Sequence, residues 1–345
     1  MTIKLRRISA VLCVAMLAAC NNAGGGSRST ISTVGSSTVY PFATRVAESF
    51  TRNTEFASPI IEATGTGAGM ALFCSGLGAD KPDIANASRR MKKSEFDNCL
   101  ANGVAEITEI QIGLDGIAFA TAIGGIAIDL TPEIVYRAMA AKPYGQDQTA
   151  KFWNDIDPSL PNKPILVYGP PSTSGTRDAF NELVMHVGCE AGDGMAALAA
   201  QDEDAFEAIC TRARTDGAFV EQGEQDNLIV QKIEGNPDAV GVFGFSYLDA
   251  NRDRVTGLSM NGVEPTYENI AQFKYIGARP LFIYVKNAHL DAIPGLREFV
   301  AEWMTSAIPG GPLADVGLVP NPEDVMARSK AAAIGFTPMT AADFE

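Results

Sequence analysis

The chain has 345 residues. A single hydrophobic core rarely supports a chain of this length, so the length predicts two domains. Its net charge of −14 disfavours binding to nucleic acid or to anionic lipid headgroups. A negative net charge cannot steer an anion towards the protein, but salt screens exposed charges beyond about 8 Å, so a local cluster of donors could still bind one tightly. A site for an anion would therefore have to be built from near contacts.

The first nineteen residues have the pattern of a bacterial signal peptide. Three basic residues precede an apolar run, 8–19, that is too short for a membrane span. The run ends in Leu17-Ala18-Ala19-Cys20, which is typical of a lipobox and predicts lipidation of Cys20; a plain secretory signal is the alternative. Residues 20–29 predict a lipidated, flexible tether. The mature chain, at −17, would then face the periplasm and be held to the membrane by its lipid alone.

Four cysteines remain for an oxidising compartment: Cys74, Cys99, Cys189 and Cys210. Three disulfide pairings are possible. We favour the local pairing of Cys74 with Cys99 and of Cys189 with Cys210, because each closes a short loop worth about 3 to 4 kcal/mol in the chain-entropy model.

Strand and helix patterns alternate along the chain, which predicts α/β layers with parallel strands. In the first half we expect strands at 30–34, 58–63, 83–87, 106–111 and 115–120. Helices follow most of them, and Ser94 is the expected cap of the helix after the third strand. In the second half we expect strands at 164–168, 240–247 and 280–285, with a helix at 177–187.

Three strand-to-helix loops share one composition, rich in Gly, Ser and Thr: 35–38, 65–69 and 172–177. Each offers hydroxyls and free backbone N–H groups at a helix N-terminus. In an open α/β sheet such loops meet at the carboxyl ends of the strands, where ligands bind. For any single loop, caps and turns are the simpler interpretation. Three together predict a site for a tetrahedral oxyanion.

The sequence argues against an enzyme and against a bound cofactor. Loop 65–69 is neither GxGxxG nor a P-loop, so nucleotide binding is unsupported. There is no GxSxG elbow and no ligand cluster for a catalytic metal. His186 and His289 stand alone, and no CxxC pair is present, so we expect no metal site.

Five motifs resemble those of PstS-type phosphate-binding proteins of ABC importers: 35–41, 83–89, 174–180, 241–247 and 279–285. The resemblance extends over about residues 30–335. It implies the two-domain periplasmic-binding-protein fold, or Venus flytrap, with domain 1 at 30–118 plus 278–345 and domain 2 at 119–277. Hinge crossovers are expected near Phe119 and Ala278. It further implies a monomer that binds inorganic phosphate and delivers it to the permease subunits of an ABC importer.

The resemblance also implies phosphate ligands from all three loops: Ser37, Thr38, the backbone N–H of Val39 or Tyr40, Thr66, Ser174, Gly175 and Thr176. Ser88-Arg89 ends the third strand where the best-known branch has Ser-Asp, and another branch also has Arg there. Pro170 occupies the place of an anion-contacting arginine in some relatives, with Arg177 as its substitute. Guanidinium groups suit phosphate because they offer fixed bidentate donors. The alternative for Arg89 and Arg177 is a simple ion pair.

Arginine at position 89 leaves open how phosphate is told from sulfate. Hydrogen phosphate still carries a proton, so discrimination needs a fixed acceptor, which sulfate would face as an unmatched lone pair. We expect Asp115 to be that acceptor, because it immediately precedes an apolar strand leading into the hinge. Pairing with Arg89 or capping a turn is the alternative. The rival functions are a receptor for sulfate or molybdate and a secreted phosphatase.

Overall fold

The computed structural model describes residues 28–172, 174–222 and 226–344. The predicted signal peptide, Cys20 and most of the tether lie outside these residues. Among the helices that the structure describes, none is long and apolar enough to cross a membrane.

The described residues form nine strands: β1 (Ser32–Gly35), β2 (Ile60–Ala63), β3 (Ile84–Ala87), β4 (Ile107–Ala122), β5 (Val167–Gly169), β6 (Phe219–Glu221), β7 (Val240–Gly244), β8 (Val255–Gly257) and β9 (Ala278–Lys286). They pair in the order β2-β1-β3-β9-β4-β7-β5-β6, and β8 also pairs with β4. The outer strands of each half run parallel, whereas β4 and β9 run antiparallel to their neighbours. This is the mixed α/β architecture that the alternating pattern predicts.

Strand β4 joins the two halves of the sheet. Its first ten residues pair with β9, and its last six pair with β7 and β8. The sequence predicts two separate strands at 106–111 and 115–120, which is wrong. The residues between the two predicted strands continue the pairing with β9, with a register shift between Gln111 and Gly113, so the structure has one long strand. The continuous strand carries Asp115 from one half of the sheet towards the other.

Fourteen α-helices lie within the described ranges: α1 (Tyr40–Asn53), α2 (Thr66–Phe73), α3 (Lys93–Ala101), α4 (Pro132–Met139), α5 (Trp153–Ile156), α6 (Gly175–Phe180), α7 (His186–Glu190), α8 (Met195–Gln201), α9 (Glu203–Cys210), α10 (Asp226–Glu234), α11 (Phe245–Ala250), α12 (Tyr267–Ala271), α13 (Leu296–Ser306) and α14 (Glu323–Gly335). A π-helical turn, Asn181–Met185, joins α6 to α7 without a break.

Two boundaries differ from the sequence-based expectation. Strand β7 ends at Gly244 and α11 begins at Phe245, although the apolar run to Tyr247 predicts a continuing strand. Such a run does not by itself distinguish a strand from a buried helix. Helix α3 is capped at Lys92 and not at Ser94, because the Glu95 carboxylate accepts the Lys92 backbone N–H at 2.8 Å.

Within the described residues, three apolar cores hold the layers together. The largest surrounds β5, β6 and β7 in the middle of the chain. The other two cover opposite faces of the sheet formed by β2, β1, β3, β9 and the start of β4. Helix α1 buries the face carrying Phe42, Val46 and Phe50, as its 3.6-residue period predicts.

The structure contains disulfides between Cys74 and Cys99 and between Cys189 and Cys210, which is the pairing that the sequence favours. The first fastens α2 to α3, and the second fastens α7 to α9. The predicted domain limits at 118/119 and 277/278 stay a prediction.

Candidate functional site

A cavity of about 240 Å³ lies where the two halves of the molecule meet. It faces the start of α1, the start of α6, and the middle of β4. Its lining residues are Thr38, Pro41, Phe42, Asp115, Ser174, Gly175, Thr176, Tyr247 and Val316. Five of the predicted ligands are therefore gathered here from distant parts of the sequence: Thr38, Asp115, Ser174, Gly175 and Thr176.

The loop between β1 and α1 brings Thr38 to the cavity. The Thr38 hydroxyl donates to the Gly175 carbonyl oxygen at 3.3 Å and accepts from Arg279 Nη2 at 2.6 Å. The neighbouring Ser37 hydroxyl donates to the Asp178 carboxylate. The Val39 backbone N–H, predicted as a ligand donor, instead points to Ser36 Oγ at 3.4 Å.

The loop before α6 supplies the opposite wall of the cavity. The Ser174 side chain caps the helix by accepting the Thr176 N–H at 3.2 Å. A Cβ added at Gly175 would lie 2.7 Å from Thr38 Cα, closer than side-chain atoms approach a backbone. Glycine is therefore required for the two loops to meet, and the cleft between them is closed.

Arg279 is the cation beside this cavity, and the sequence did not single it out as a ligand. Its side chain is only 5% exposed. Nε donates to Asp115 Oδ2 at 3.2 Å, Nη2 to the Thr38 hydroxyl, and Nη1 to the Glu182 carboxylate. One signal was available: Arg279 opens an apolar strand, where a charged residue needs a buried partner.

Asp115 lines the cavity and pairs with Arg279, not with Arg89. The two residues face each other directly in the register of β4 and β9. Burial raises the pKa of the Asp115 carboxyl, while the charge of Arg279 acts in the opposite direction. The site thus contains one buried acceptor held beside one buried guanidinium.

The structure places Arg89 and Arg177, both within the described ranges, in ion pairs away from the cavity lining. Arg89 makes a bidentate contact with Glu95, with distances of 2.7 and 2.9 Å, and this bond raises the pKa of Arg89. Arg177 pairs with Glu221 at 2.5 Å and stacks 4.6 Å from the ring centroid of Phe219. In this structure both side chains therefore form simple ion pairs, which is the alternative to phosphate binding given above.

Thr66 and Ser88 lie against each other beside the first loop. Their hydroxyl oxygens are 3.1 Å apart, and the Ser88 N–H donates to Thr66 Oγ1 at 3.2 Å. Within the described residues, neither belongs to the lining of the cavity. Two of the three predicted loops thus form the cavity, and the loop at 65–69 packs behind the first, where Gly69 meets Gly35.

The chemistry of the cavity suits a small anion that also carries a proton. Hydroxyls and the N-terminal N–H groups of a helix lie on two sides, where they can donate to an anion, and the Arg279 guanidinium lies behind them. Asp115 is an acceptor within the same wall. No group of three or more metal-ligating side chains occurs among the described residues.

Comparison with known proteins places the chain in a class. The sequence model of the PBP superfamily domain matches residues 21–307. Protein SphX of Synechococcus elongatus is 30% identical over 92% of this chain and 86% of its own length. The chain belongs to the PBP superfamily and, within it, to the PstS-type proteins that its motifs resemble.

Two further relatives agree with this assignment. A Staphylococcus saprophyticus protein named phosphate-binding protein PstS is 28% identical over 83% of this chain and 80% of its own length. A crystal structure described as a possible phosphate binding protein from Planctomyces limnophilus superposes with a TM-score of 0.71 at 25% identity. It covers 89% of this chain and 98% of that one. The predicted two-domain fold is confirmed.

Proposed function

We propose that this protein is a receptor for inorganic phosphate, which it binds in the cavity between Thr38 and the start of α6. One observation carries the proposal: a buried guanidinium, Arg279, and a buried carboxylate, Asp115, meet between two helix N-termini. Hydroxyl, N–H and guanidinium donors beside the fixed acceptor Asp115 fit an oxyanion that keeps one proton. The names of the PstS relatives support the same ligand.

In the proposed complex, phosphate oxygens accept from the Thr38, Ser174 and Thr176 hydroxyls, from the N-terminus of α6 and from Arg279. Charge-assisted hydrogen bonds of this kind are each worth about 1.5 to 3 kcal/mol. The phosphate O–H donates a hydrogen bond to the Asp115 carboxylate. No bond of the ligand is made or broken, so the protein acts as a carrier and not as an enzyme.

Hinge motion about β4 and β9 would admit and release the ligand. The two loops that line the cavity touch directly, through Thr38 and Gly175, so the described conformation is the closed one. Opening would separate those loops while leaving each core intact. The hinge positions near Phe119 and Ala278, and the domain limits they imply, are part of this proposal.

We propose that the receptor is monomeric, lies in the periplasm, is anchored by a lipid on Cys20 and delivers phosphate to the permease of an ABC importer. Its membership of the PBP superfamily and the predicted lipobox at 17–20 support these assignments. If Cys20 carries the lipid, the substitution Cys20→Ser should move the protein out of the membrane fraction and leave its phosphate affinity unchanged.

Isothermal titration calorimetry of the mature protein with phosphate, sulfate and molybdate tests the proposal. Phosphate should bind at least about a hundredfold more tightly than the other two anions, because only phosphate supplies a proton for Asp115. p-Nitrophenyl phosphate should not be hydrolysed. Equal affinities for phosphate and sulfate would indicate a general oxyanion receptor, and turnover would indicate a phosphatase.

A further inference from the structure

Three donors, one lining the cavity and two beside it, are each held by an acceptor from one helical segment, 174–190. The Gly175 carbonyl accepts from Thr38, the Asp178 carboxylate accepts from Ser37, and the Glu182 carboxylate accepts from Arg279. Asp178 and Glu182 are four residues apart. Acceptors from one helical segment therefore occupy donors on the opposite side of the cleft.

The two carboxylates that hold Arg279 differ in how firmly they are fixed. The Asp115 side chain is 12% exposed and is locked opposite Arg279 by the pairing of β4 and β9. The Glu182 side chain is 52% exposed and lies on the π-helical turn. A half-exposed carboxylate regains its hydration when it leaves, so Glu182 is the partner that can be exchanged.

The charge balance requires such an exchange. With Glu182 in place, the single guanidinium of Arg279 faces two carboxylates, and Asp178 lies one helical turn from Glu182. A phosphate dianion entering this arrangement would be repelled more than it is attracted, because like charges at short range disfavour each other's ionised form. Withdrawal of Glu182 removes one negative charge and frees Nη1 of Arg279.

We propose that Glu182 is a displaceable counter-ion for Arg279, which it holds until phosphate takes its place. This inference rests on the proposed function, because it concerns the affinity of the same site. Glu182 lowers phosphate affinity by competing for the guanidinium. It also keeps the buried Arg279 paired when the site carries no ligand. By binding Arg279 again, Glu182 favours the release of phosphate.

The substitution Glu182→Gln tests the proposal, with Glu221→Gln as the matched control. Glu221 holds Arg177 in the same kind of contact. The side chains of Glu221 and Arg177 are 47% and 6% exposed, and those of Glu182 and Arg279 are 52% and 5% exposed. Both substitutions remove one negative charge from domain 2. Phosphate and sulfate affinities are measured by calorimetry, and the melting temperature is measured without ligand.

Glu182→Gln should bind phosphate about three- to tenfold more tightly than the parent, as the loss of a half-exposed competing ion pair predicts. Sulfate should gain by a similar factor, and Glu221→Gln should change neither affinity by more than about twofold. An unchanged or weakened phosphate affinity in Glu182→Gln, or an equal gain in both variants, would overturn the inference. A parent protein without phosphate affinity would instead overturn the proposed function, and this inference with it.

Discussion

Asp115 and Arg279 are directly opposed across the antiparallel pair β4 and β9, and Arg279 Nε donates to Asp115 Oδ2 at 3.2 Å. One strand register therefore fixes both the acceptor and the cation of the proposed site. A slip of one residue would send the two side chains to opposite faces of the sheet. Burying such a pair seldom adds net stability, so its presence at the cavity favours a role in binding.

Asp115→Asn should lose much of the preference for phosphate over sulfate. The amide can present a donor to either ion, so the penalty that the carboxylate imposes on sulfate disappears. Competition titrations of phosphate against sulfate measure the effect. A variant that discriminates as well as the parent would show that the acceptor lies elsewhere.

Arg279→Lys should weaken phosphate binding about ten- to hundredfold. Lysine keeps the charge but cannot present the fixed fork that contacts Asp115 and Thr38 together. Arg89→Ala is the matched comparison, because the structure pairs Arg89 with Glu95 outside the cavity. Calorimetry should give Arg89→Ala an affinity close to that of the parent. A larger loss of affinity for Arg89→Ala than for Arg279→Lys would show that Arg89, as the sequence predicts, binds phosphate and that Arg279 does not.

Gly175→Ala should impair closure of the cleft. The new Cβ would lie 2.7 Å from Thr38 Cα in the closed form, and such overlap costs about 1 to 3 kcal/mol, or roughly five- to hundredfold in affinity. Gly67→Ala is the control, because a Cβ there meets nothing within 4 Å. Calorimetry with phosphate, together with small-angle scattering, reports affinity and closure. Equal affinities for both variants would contradict the closed contact.

Lys286 should make the protein more stable as the pH rises from about 8 towards 10. The side chain is buried, its Nζ donates to the Gly76 carbonyl at 2.7 Å, and burial lowers the pKa of Lys286 to about 8. Between that value and the ordinary lysine pKa, the unfolded chain binds the proton and the folded chain does not, so stability increases with pH.

Lys286→Met provides the comparison for this pH dependence. Urea unfolding of parent and variant at several pH values gives the difference in their free energies of unfolding, and the parent should gain relative to the variant across this window. A constant difference would show that Lys286 has the same pKa in both states.

The sequence predicts the local features of this site and misses the long-range ones. Glycine, serine and threonine at helix N-termini are visible as short motifs, and Thr38 and Ser174 lie at the cavity as those motifs indicate. The position of Arg279 depends on which residues of β4 and β9 face each other, and that register joins segments more than 160 residues apart.

The arginines show the same difference between local pattern and tertiary pairing. Arg89 follows a strand end as an anion ligand would, but Glu95 on the next helix takes its guanidinium. Arg177 follows Thr176 directly, yet it pairs with Glu221 on β6, far along the chain. A single sequence does not reveal these partners, because no local pattern links the two members of either pair.

The central claim is that phosphate binds between the β1–α1 loop and the start of α6, beside Arg279 and Asp115. A crystal structure of the mature protein grown with phosphate tests it most directly. The account predicts one tetrahedral anion within hydrogen-bonding distance of the Thr38 hydroxyl, the N-terminal N–H groups of α6, Arg279 and Asp115, with Glu182 moved away from Arg279. Phosphate bound instead at Arg89, Thr66 and Ser88, with the Arg279 cavity unchanged, would contradict it.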